Sequence, residues 1–149
     1  DAVCGPCCVL HMDGYKAGQT VEEKDIVLWE EKHGPIQPGD IVLFDFGWGK
    51  YFKPLPGGQT FLTGWPGLGA SAAQYLADRK IRAVGVDPCA ADCSGSSGNV
   101  THKILLPKEI LIIECLANLD KLPERAYFVA LPLRIKNGSG SPLRPIAVY

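Results

Sequence analysis

Apolar residues in this chain fall into short runs separated by turn signals, and this pattern predicts alternating strands and helices. Residues 7–10 form a run that suits a strand. Residues 21–32 instead place apolar side chains at helical spacing, and Thr20 with Glu23 forms a capping box at the start. Gly34 can adopt the left-handed conformation that ends a helix. We therefore expect a strand followed by an amphipathic helix.

The same alternation continues along the rest of the chain. Unbroken hydrophobicity at residues 41–44 predicts a strand that is covered on both faces. A helix at residues 71–79 and a second buried strand at residues 82–86 follow. Further strands are expected at residues 110–113, 127–135 and 143–149, the last two joined by the turn-rich stretch 137–140. The pattern predicts a mixed α/β fold in a single domain spanning residues 1–149.

Two segments between these elements carry residues that are typical of ligand sites. Residues 47–69 combine many glycines and prolines with large aromatic side chains such as Trp48 and Trp65, as the wall of a pocket often does. Asp87 directly follows the strand at residues 82–86. Ligands of open α/β sheets bind beyond the carboxyl ends of the strands, so Asp87 is a candidate binding residue.

Composition and charge exclude several classes of partner. The 149 residues are 46% hydrophobic and carry 15 basic and 16 acidic side chains, which allows a buried core but provides no surplus charge for nucleic acid. No apolar run approaches the roughly 20 residues that span a bilayer, so no contact with a membrane is expected. Six unevenly spaced cysteines do not resemble the disulfide framework of a secreted module, which favours a reduced, cytoplasmic chain.

The sequence Cys4-Gly5-Pro6-Cys7 matches the redox dithiol of thioredoxins. A thioredoxin dithiol follows a strand and opens a helix, whereas this one leads into the strand-like residues 7–10. Ordinary cysteines at the start of a strand are the simpler interpretation, and a dithiol oxidoreductase is the last of our functional hypotheses.

His102 and Glu114 form a second candidate pair, because both residue types bind metals and Glu114 ends an apolar strand. Twelve positions separate them, so they can share an ion only if the chain doubles back, which a turn at Pro107 permits. Spacing alone leaves open the alternative of a hydrogen-bonded histidine and an exposed carboxylate.

The order of short motifs along nearly the whole chain resembles the cyclase family, which includes bacterial-type kynurenine formamidases and isatin hydrolases. The motifs are, in order, Thr20-Val21-Glu22 with Trp29-Glu30, Gly39-Asp40-Ile41-Val42-Leu43 with Gly47-Trp48, Pro66-Gly67-Leu68, Val84-Gly85-Val86-Asp87, His102-Lys103-Ile104-Leu105-Leu106, Ile112-Ile113-Glu114 with Leu116-Ala117-Asn118-Leu119, and Pro132-Leu133 with Gly140-Ser141-Pro142. Each motif is short, but the ordered set is specific.

The resemblance implies a swivelling β/β/α fold and a homo-oligomeric, zinc- or manganese-dependent hydrolase. Its reaction would cleave a carbon–nitrogen bond of an aryl formamide, as in tryptophan catabolism, or of a cyclic amide. The resemblance matches His102 and Glu114 to the later two metal ligands. With the aromatic loop and the end of the strand at residues 82–86, the resemblance also implies that a small aromatic amide substrate contacts Phe46, Trp48, Trp65 and Asp87.

The sequence departs from the family where most metal ligands are expected. It contains no His-x-Gly-Thr-His-x-Asp-x-Pro stretch, which in the family supplies two histidines, an aspartate and neighbouring catalytic groups. We therefore expect a domain that lacks its amino-terminal metal-motif segment, has its general base in that segment, and binds metal weakly or not at all. Phe46 and Pro88 also stand where relatives often carry Thr. The second hypothesis is a shortened isoform or pseudoenzyme that acts as a binding module or assembles with a longer chain.

Overall fold

The central feature of the computed structural model, which describes residues 3–149, is a six-stranded mixed sheet. In chain order the elements are β1 (Val3–His11), β2 (Thr20–Val21), α1 (Glu23–His33), β3 (Ile41–Asp45), β4 (Gly67–Leu68), α2 (Ala70–Asp78), β5 (Ala83–Val86), α3 (Val100–Leu105), β6 (Leu111–Ile113), β7 (Arg125–Ala130) and β8 (Ile146–Val148). The strand order in the large sheet is β6-β5-β3-β1-β7-β8, and β2 pairs separately with β4. The first four strands in this order run parallel, whereas β7 and β8 are antiparallel. The predicted mixed α/β class is confirmed.

The two faces of the sheet are covered differently. On one face, Leu10 and Phe44 belong to a large apolar cluster that includes Ile26 of α1, Leu76 of α2 and Leu105 of α3. On the other face, alternate residues of the same strands pack under irregular segments, with Val9, Leu43, Leu116, Leu119 and Phe128 in one cluster. Successive side chains of a strand point to opposite faces, so the unbroken apolar runs reflect a sheet that is buried on both sides.

Several elements differ from the sequence predictions. The first strand, expected at residues 7–10, extends over Val3–His11. The helix expected at residues 21–32 begins at Glu23, because Thr20–Val21 forms β2, and the capping box uses Glu22 and Asp25 in place of Thr20 and Glu23. The helix α3 was not predicted, since six residues are too few to show a helical period. The last two strands are shorter than expected and end the sheet as the antiparallel pair β7 and β8.

The cysteines of the thioredoxin-like sequence lie within β1, outside any helix. Cys4 and Cys7 are three residues apart on an extended strand, so their side chains point to opposite faces. Burial raises the pKa of the Cys7 thiol to about 11, and the nearby Asp40 carboxylate adds to that shift. The geometry therefore opposes a dithiol pair here.

No helix in the described part of the chain combines the length and the apolar character needed to cross a membrane.

Candidate metal centre

Each of the four parallel strands ends at, or next to, a titratable residue. His11 and Asp45 are the last residues of β1 and β3, while Asp87 and Glu114 directly follow β5 and β6. Parallel strands place their carboxyl ends at one edge of the sheet, where ligands of α/β proteins bind. The fold therefore gathers two of the predicted site residues, Asp87 and Glu114, along the same edge.

The structure brings His102 and Glu114 together and adds a third residue, Asp92. The Nδ1 atom of His102 lies 2.5 Å from Oδ2 of Asp92, and its Nε2 atom lies 3.4 Å from Oε1 of Glu114. The chain doubles back between His102 and Glu114 through α3 and the turn at residues 106–108. We refer to these three residues as the Asp92–His102–Glu114 group.

Backbone contacts hold the segment that carries Asp92. The short strand β4 runs beside it, with the Leu68 amide donating to the Ala91 carbonyl at 2.8 Å. A side chain at Gly67 would meet the backbone nitrogen of Cys93 at 2.4 Å, so only glycine permits this close approach. The indole of Trp65 donates to the Asp92 carbonyl at 2.8 Å. Trp65 thus lies directly beside the group, and its side chain is partly exposed.

Asp92 is a buried carboxylate whose hydrogen bonds position His102. Its side chain accepts from the backbone amides of Thr101 at 2.7 Å and His102 at 3.3 Å, in the first turn of α3. Burial works against the charged form, but the His102 ring and these amides outweigh it and lower the pKa of Asp92. A carboxylate facing Nδ1 favours the tautomer in which Nδ1 carries the proton.

This arrangement leaves Nε2 of His102 facing a carboxylate oxygen. Glu114 is held in place by the Ala91 amide, which donates to Oε1 at 3.0 Å. The side chains of His102 and Glu114 are 30% and 31% exposed, so both side chains are partly open to solvent. A nitrogen lone pair and a carboxylate oxygen that face each other suit a shared proton or a cation.

The donor set fits part of the shell of a metal ion. Imidazole and carboxylate are common zinc and manganese ligands, and the carboxylate on the second ring nitrogen is the usual support for a metal-binding histidine. Among residues 3–149, no three His, Cys, Asp or Glu side chains are arranged to hold a metal together. His102 and Glu114 can therefore fill two ligand positions and leave the others to additional donors.

The residues expected to contact substrate are largely buried. Phe46 and Trp48 are 5% and 6% exposed and belong to the helix-side apolar cluster. Asp87 is 3% exposed, and its carboxylate accepts hydrogen bonds from the backbone amides of Phe46, Trp48 and Gly49. Burial raises the pKa of Asp87, and the three amides oppose that shift. The observed contacts of these three residues shape the loop after β3, and their contact with a substrate stays a prediction.

At the other end of the same sheet edge, His11 joins three parts of the chain. Its Nδ1 atom lies 2.9 Å from Oδ2 of Asp45, and its Nε2 atom lies 3.0 Å from the carbonyl oxygen of Leu122. Both ring nitrogens face acceptors, which suits the protonated imidazolium. Burial lowers the pKa of His11, but Asp45 and the Leu122 carbonyl outweigh burial and raise it overall.

Asp92 is the functional candidate that sequence reasoning missed. Its role depends on α3, whose first turn brings the Thr101 and His102 amides to the carboxylate. The usual sequence signal is a polar or acidic residue directly at the helix start, and Asn99 holds that position while Asp92 lies further upstream in the preceding loop. The sequence pattern places His102 ahead of a short apolar segment and predicts no helix there.

Comparison with known proteins identifies relatives along the whole chain. A family model described as Putative cyclase matches residues 1–93. The isatin hydrolase of Roseibium aggregatum is 35% identical over 135 residues, which are 83% of this chain and 50% of the relative. A kynurenine formamidase of Paracidovorax citrulli is 27% identical over 151 residues, covering 98% of this chain and 63% of the relative.

Solved structures agree with these matches. An isatin hydrolase bound to the product analogue thioisatinate superposes with a TM-score of 0.91 at 28% identity, over 99% of this chain and 60% of that one. A protein described as a potential metal-dependent hydrolase with cyclase activity gives a TM-score of 0.77 at 29% identity, over 97% and 65%. The chain spans 50% to 63% of the length of the two sequence relatives. The matched model covers more than half of the chain, and the protein belongs to the cyclase family.

Proposed function

We propose that this chain forms part of a metal-dependent hydrolase that cleaves a carbon–nitrogen bond of a small aromatic amide, either an aryl formamide or a cyclic amide. The isatin hydrolase and kynurenine formamidase relatives support this substrate class. In this proposal, His102 Nε2 and the Glu114 carboxylate are two of the ligands of a zinc or manganese ion. The remaining ligands and the general base come from outside the 149 residues.

One observation carries the proposal. His102 Nε2 and Glu114 Oε1 face each other at 3.4 Å, and the Asp92 carboxylate is hydrogen-bonded to Nδ1, the other ring nitrogen of His102. A histidine with only a structural role would not need a carboxylate next to each ring nitrogen, with the buried Asp92 on one side and the partly exposed Glu114, at the carboxyl edge of the sheet, on the other. A bound divalent ion would supply Lewis acidity toward an amide carbonyl and make water a stronger nucleophile at neutral pH.

The roles of the chain's own residues follow from their contacts. Asp92 holds His102 with Nε2 directed at Glu114, and the Ala91 amide fixes the Glu114 carboxylate. Trp65 is partly exposed next to Asp92, which makes it the best placed of the predicted aromatic residues to contact a flat substrate. Phe46, Trp48 and Asp87 would act by shaping the loop after β3 at the same edge.

A second candidate function is a non-catalytic module of the same fold, either a shortened isoform or a pseudoenzyme that assembles with a longer chain. The observation that favours it is the two-ligand site. Within the described residues, no third side chain is placed to bind the same ion as His102 and Glu114, because Asp92 lies on the opposite side of the His102 ring. Zinc sites that bind firmly use three or four protein ligands, so this chain alone is expected to hold metal weakly.

The test joins a segment bearing the His-x-Gly-Thr-His-x-Asp stretch of an isatin hydrolase ahead of residue 1. Hydrolysis of isatin and N-formylkynurenine is then measured with zinc and with manganese. We expect activity in the joined protein, its loss in His102→Ala and Glu114→Gln, and its retention in the control His33→Ala. Full activity and unchanged metal content in the first two variants would refute the ligand assignment. A folded, metal-loaded joined protein without activity would instead favour the non-catalytic module.

A further inference from the structure

Two cysteines lie on the segments that carry the Asp92–His102–Glu114 group, and neither takes part in it. Cys89 lies in the loop after β5, three residues before Asp92, and Cys115 directly follows Glu114. Both are free thiols; Cys115 is exposed and Cys89 is partly exposed. The proposed hydrolytic function gives neither thiol a role.

The backbone of Cys115 contacts Pro88, the residue that precedes Cys89. The Cys115 amide donates to the Pro88 carbonyl at 2.9 Å, so Cys115 lies beside the peptide group that links Pro88 to Cys89. A hydrogen bond to the peptide group that precedes Cys89 brings the two cysteines close along the backbone, and disulfides bridge Cα separations of about 4.4–6.8 Å.

Local structure fixes Cys115 in this position. It has a φ of 59°, a left-handed conformation that is uncommon for residues other than glycine. The next amide, that of Leu116, donates to the Val86 carbonyl at 3.0 Å, so the chain is attached to the β5 segment on both sides of the turn. The Cys89 thiol lies 3.9 Å from the Phe61 carbonyl and would leave this long contact on forming the bond. Cys93 differs because it is buried, and its thiol lies 3.6 Å from the Trp65 carbonyl.

We propose that Cys89 and Cys115 form a reversible disulfide next to the Asp92–His102–Glu114 group. The oxidant is a small-molecule disulfide such as oxidised glutathione. One cysteine thiolate attacks the glutathione disulfide, forms a mixed disulfide and releases one glutathione. The other cysteine thiolate then attacks the mixed disulfide at the protein sulfur and displaces the second glutathione. Two cysteine thiols are thereby oxidised to one S–S bond, one glutathione disulfide is reduced to two thiols, and the two cysteine protons pass to them.

The bond would join the segment that carries Ala91 and Asp92 to the residue after Glu114. These are the two sides of the contact between the Ala91 amide and the Glu114 carboxylate. The modification does not depend on the proposed hydrolase activity, so the two ideas can fail separately.

The test treats the folded chain with oxidised glutathione at pH 8, blocks the remaining thiols, and digests it with trypsin and Asp-N under non-reducing conditions. Cleavage places the three relevant cysteines in separate peptides: Cys89 in residues 87–91, Cys93 in residues 92–103 and Cys115 in residues 109–119. We expect mass spectrometry to find 87–91 linked to 109–119 in most of the protein, with the link lost on reduction. In Cys89→Ser, Cys115 should appear only as a glutathione adduct. Separate adducts on both cysteines, or a link from 92–103 to 109–119, would overturn the proposal.

Discussion

Replacing Asp92 by Asn separates the positioning of His102 from the metal ligands themselves. The Asp92 carboxylate accepts three hydrogen bonds, from the Thr101 amide, the His102 amide and His102 Nδ1. Asparagine is nearly isosteric, but the Thr101 amide donates to Oδ1 of Asp92, whereas the His102 amide and Nδ1 both face Oδ2. With its single oxygen at the Oδ1 position, asparagine can still accept from the Thr101 amide. Its amide NH₂ cannot accept the Nδ1 proton of His102, so the ring would favour the other tautomer or rotate.

The size of the effect follows from the lost charge. A hydrogen bond to a charged group contributes about 1.5–3 kcal/mol, against about 0.5–1.5 kcal/mol for a neutral pair. A carboxylate at a helix N-terminus adds about 0.3–1 kcal/mol. We therefore expect Asp92→Asn to lower the free energy of unfolding by about 1.5–2.5 kcal/mol, which for a chain of this size corresponds to roughly 3–10 °C in Tm. Loss of an orienting carboxylate typically weakens metal binding by about 10- to 100-fold.

Thermal unfolding followed by circular dichroism gives the first quantity, and titration with zinc gives the second. Asp13→Asn is the matched control, because Asp13 is an exposed aspartate on the loop after β1. Its Tm and metal affinity should match those of the unmodified chain. If Asp92→Asn leaves both the Tm and the zinc affinity unchanged, Asp92 neither caps α3 nor positions His102, and the reasoning fails.

Three further predictions concern the surrounding fold. Gly67→Ala should lower the free energy of unfolding, measured with denaturant, by about 1–3 kcal/mol, because the added Cβ would lie 2.6 Å from the Ala91 carbonyl oxygen. In the control Gly140→Ala the added Cβ meets nothing within 4 Å, so this variant should be as stable as the unmodified chain. His11→Gln should lower the free energy of unfolding most near pH 6. The pKa of His11 is raised in the folded protein, so the stability that its charged form contributes is complete below about pH 6.5 and is lost as the pH rises through the folded pKa. An equal effect at pH 6 and pH 9 would contradict this. Insulin reduction should be absent, because burial holds the pKa of Cys7 near 11.

The central strands could be predicted from the sequence because their signal is local. Residues 41–44 and 82–86 are unbroken apolar runs, and the structure buries β3 and β5 on both faces. Contacts between distant segments could not be predicted in this way. The helix α1 begins later than predicted because Thr20–Val21 pairs with Gly67–Leu68, a partner more than forty residues away.

The candidate site was half predictable for the same reason. His102 and Glu114 carry recognisable ligand chemistry, whereas Asp92 acquires its role only when β4 and α3 bring it to His102. Trp48 illustrates the opposite case. A large aromatic residue in a glycine-rich loop suggests a pocket wall, yet its indole donates to the Phe61 carbonyl at 3.3 Å and the side chain is buried.

The most direct test of the central claim is long-range ¹H–¹⁵N NMR of the imidazole rings during a zinc titration. The chain has only three histidines, so each ring can be assigned by single substitution. If His102 and Glu114 are metal ligands, His102 keeps its proton on Nδ1 and zinc shifts its Nε2 resonance. We expect Glu114→Gln to weaken this response, and the His33 ring not to respond. A His102 Nε2 resonance that stays unchanged at saturating zinc, or that responds equally in Glu114→Gln, would contradict the assignment of this pair as metal ligands.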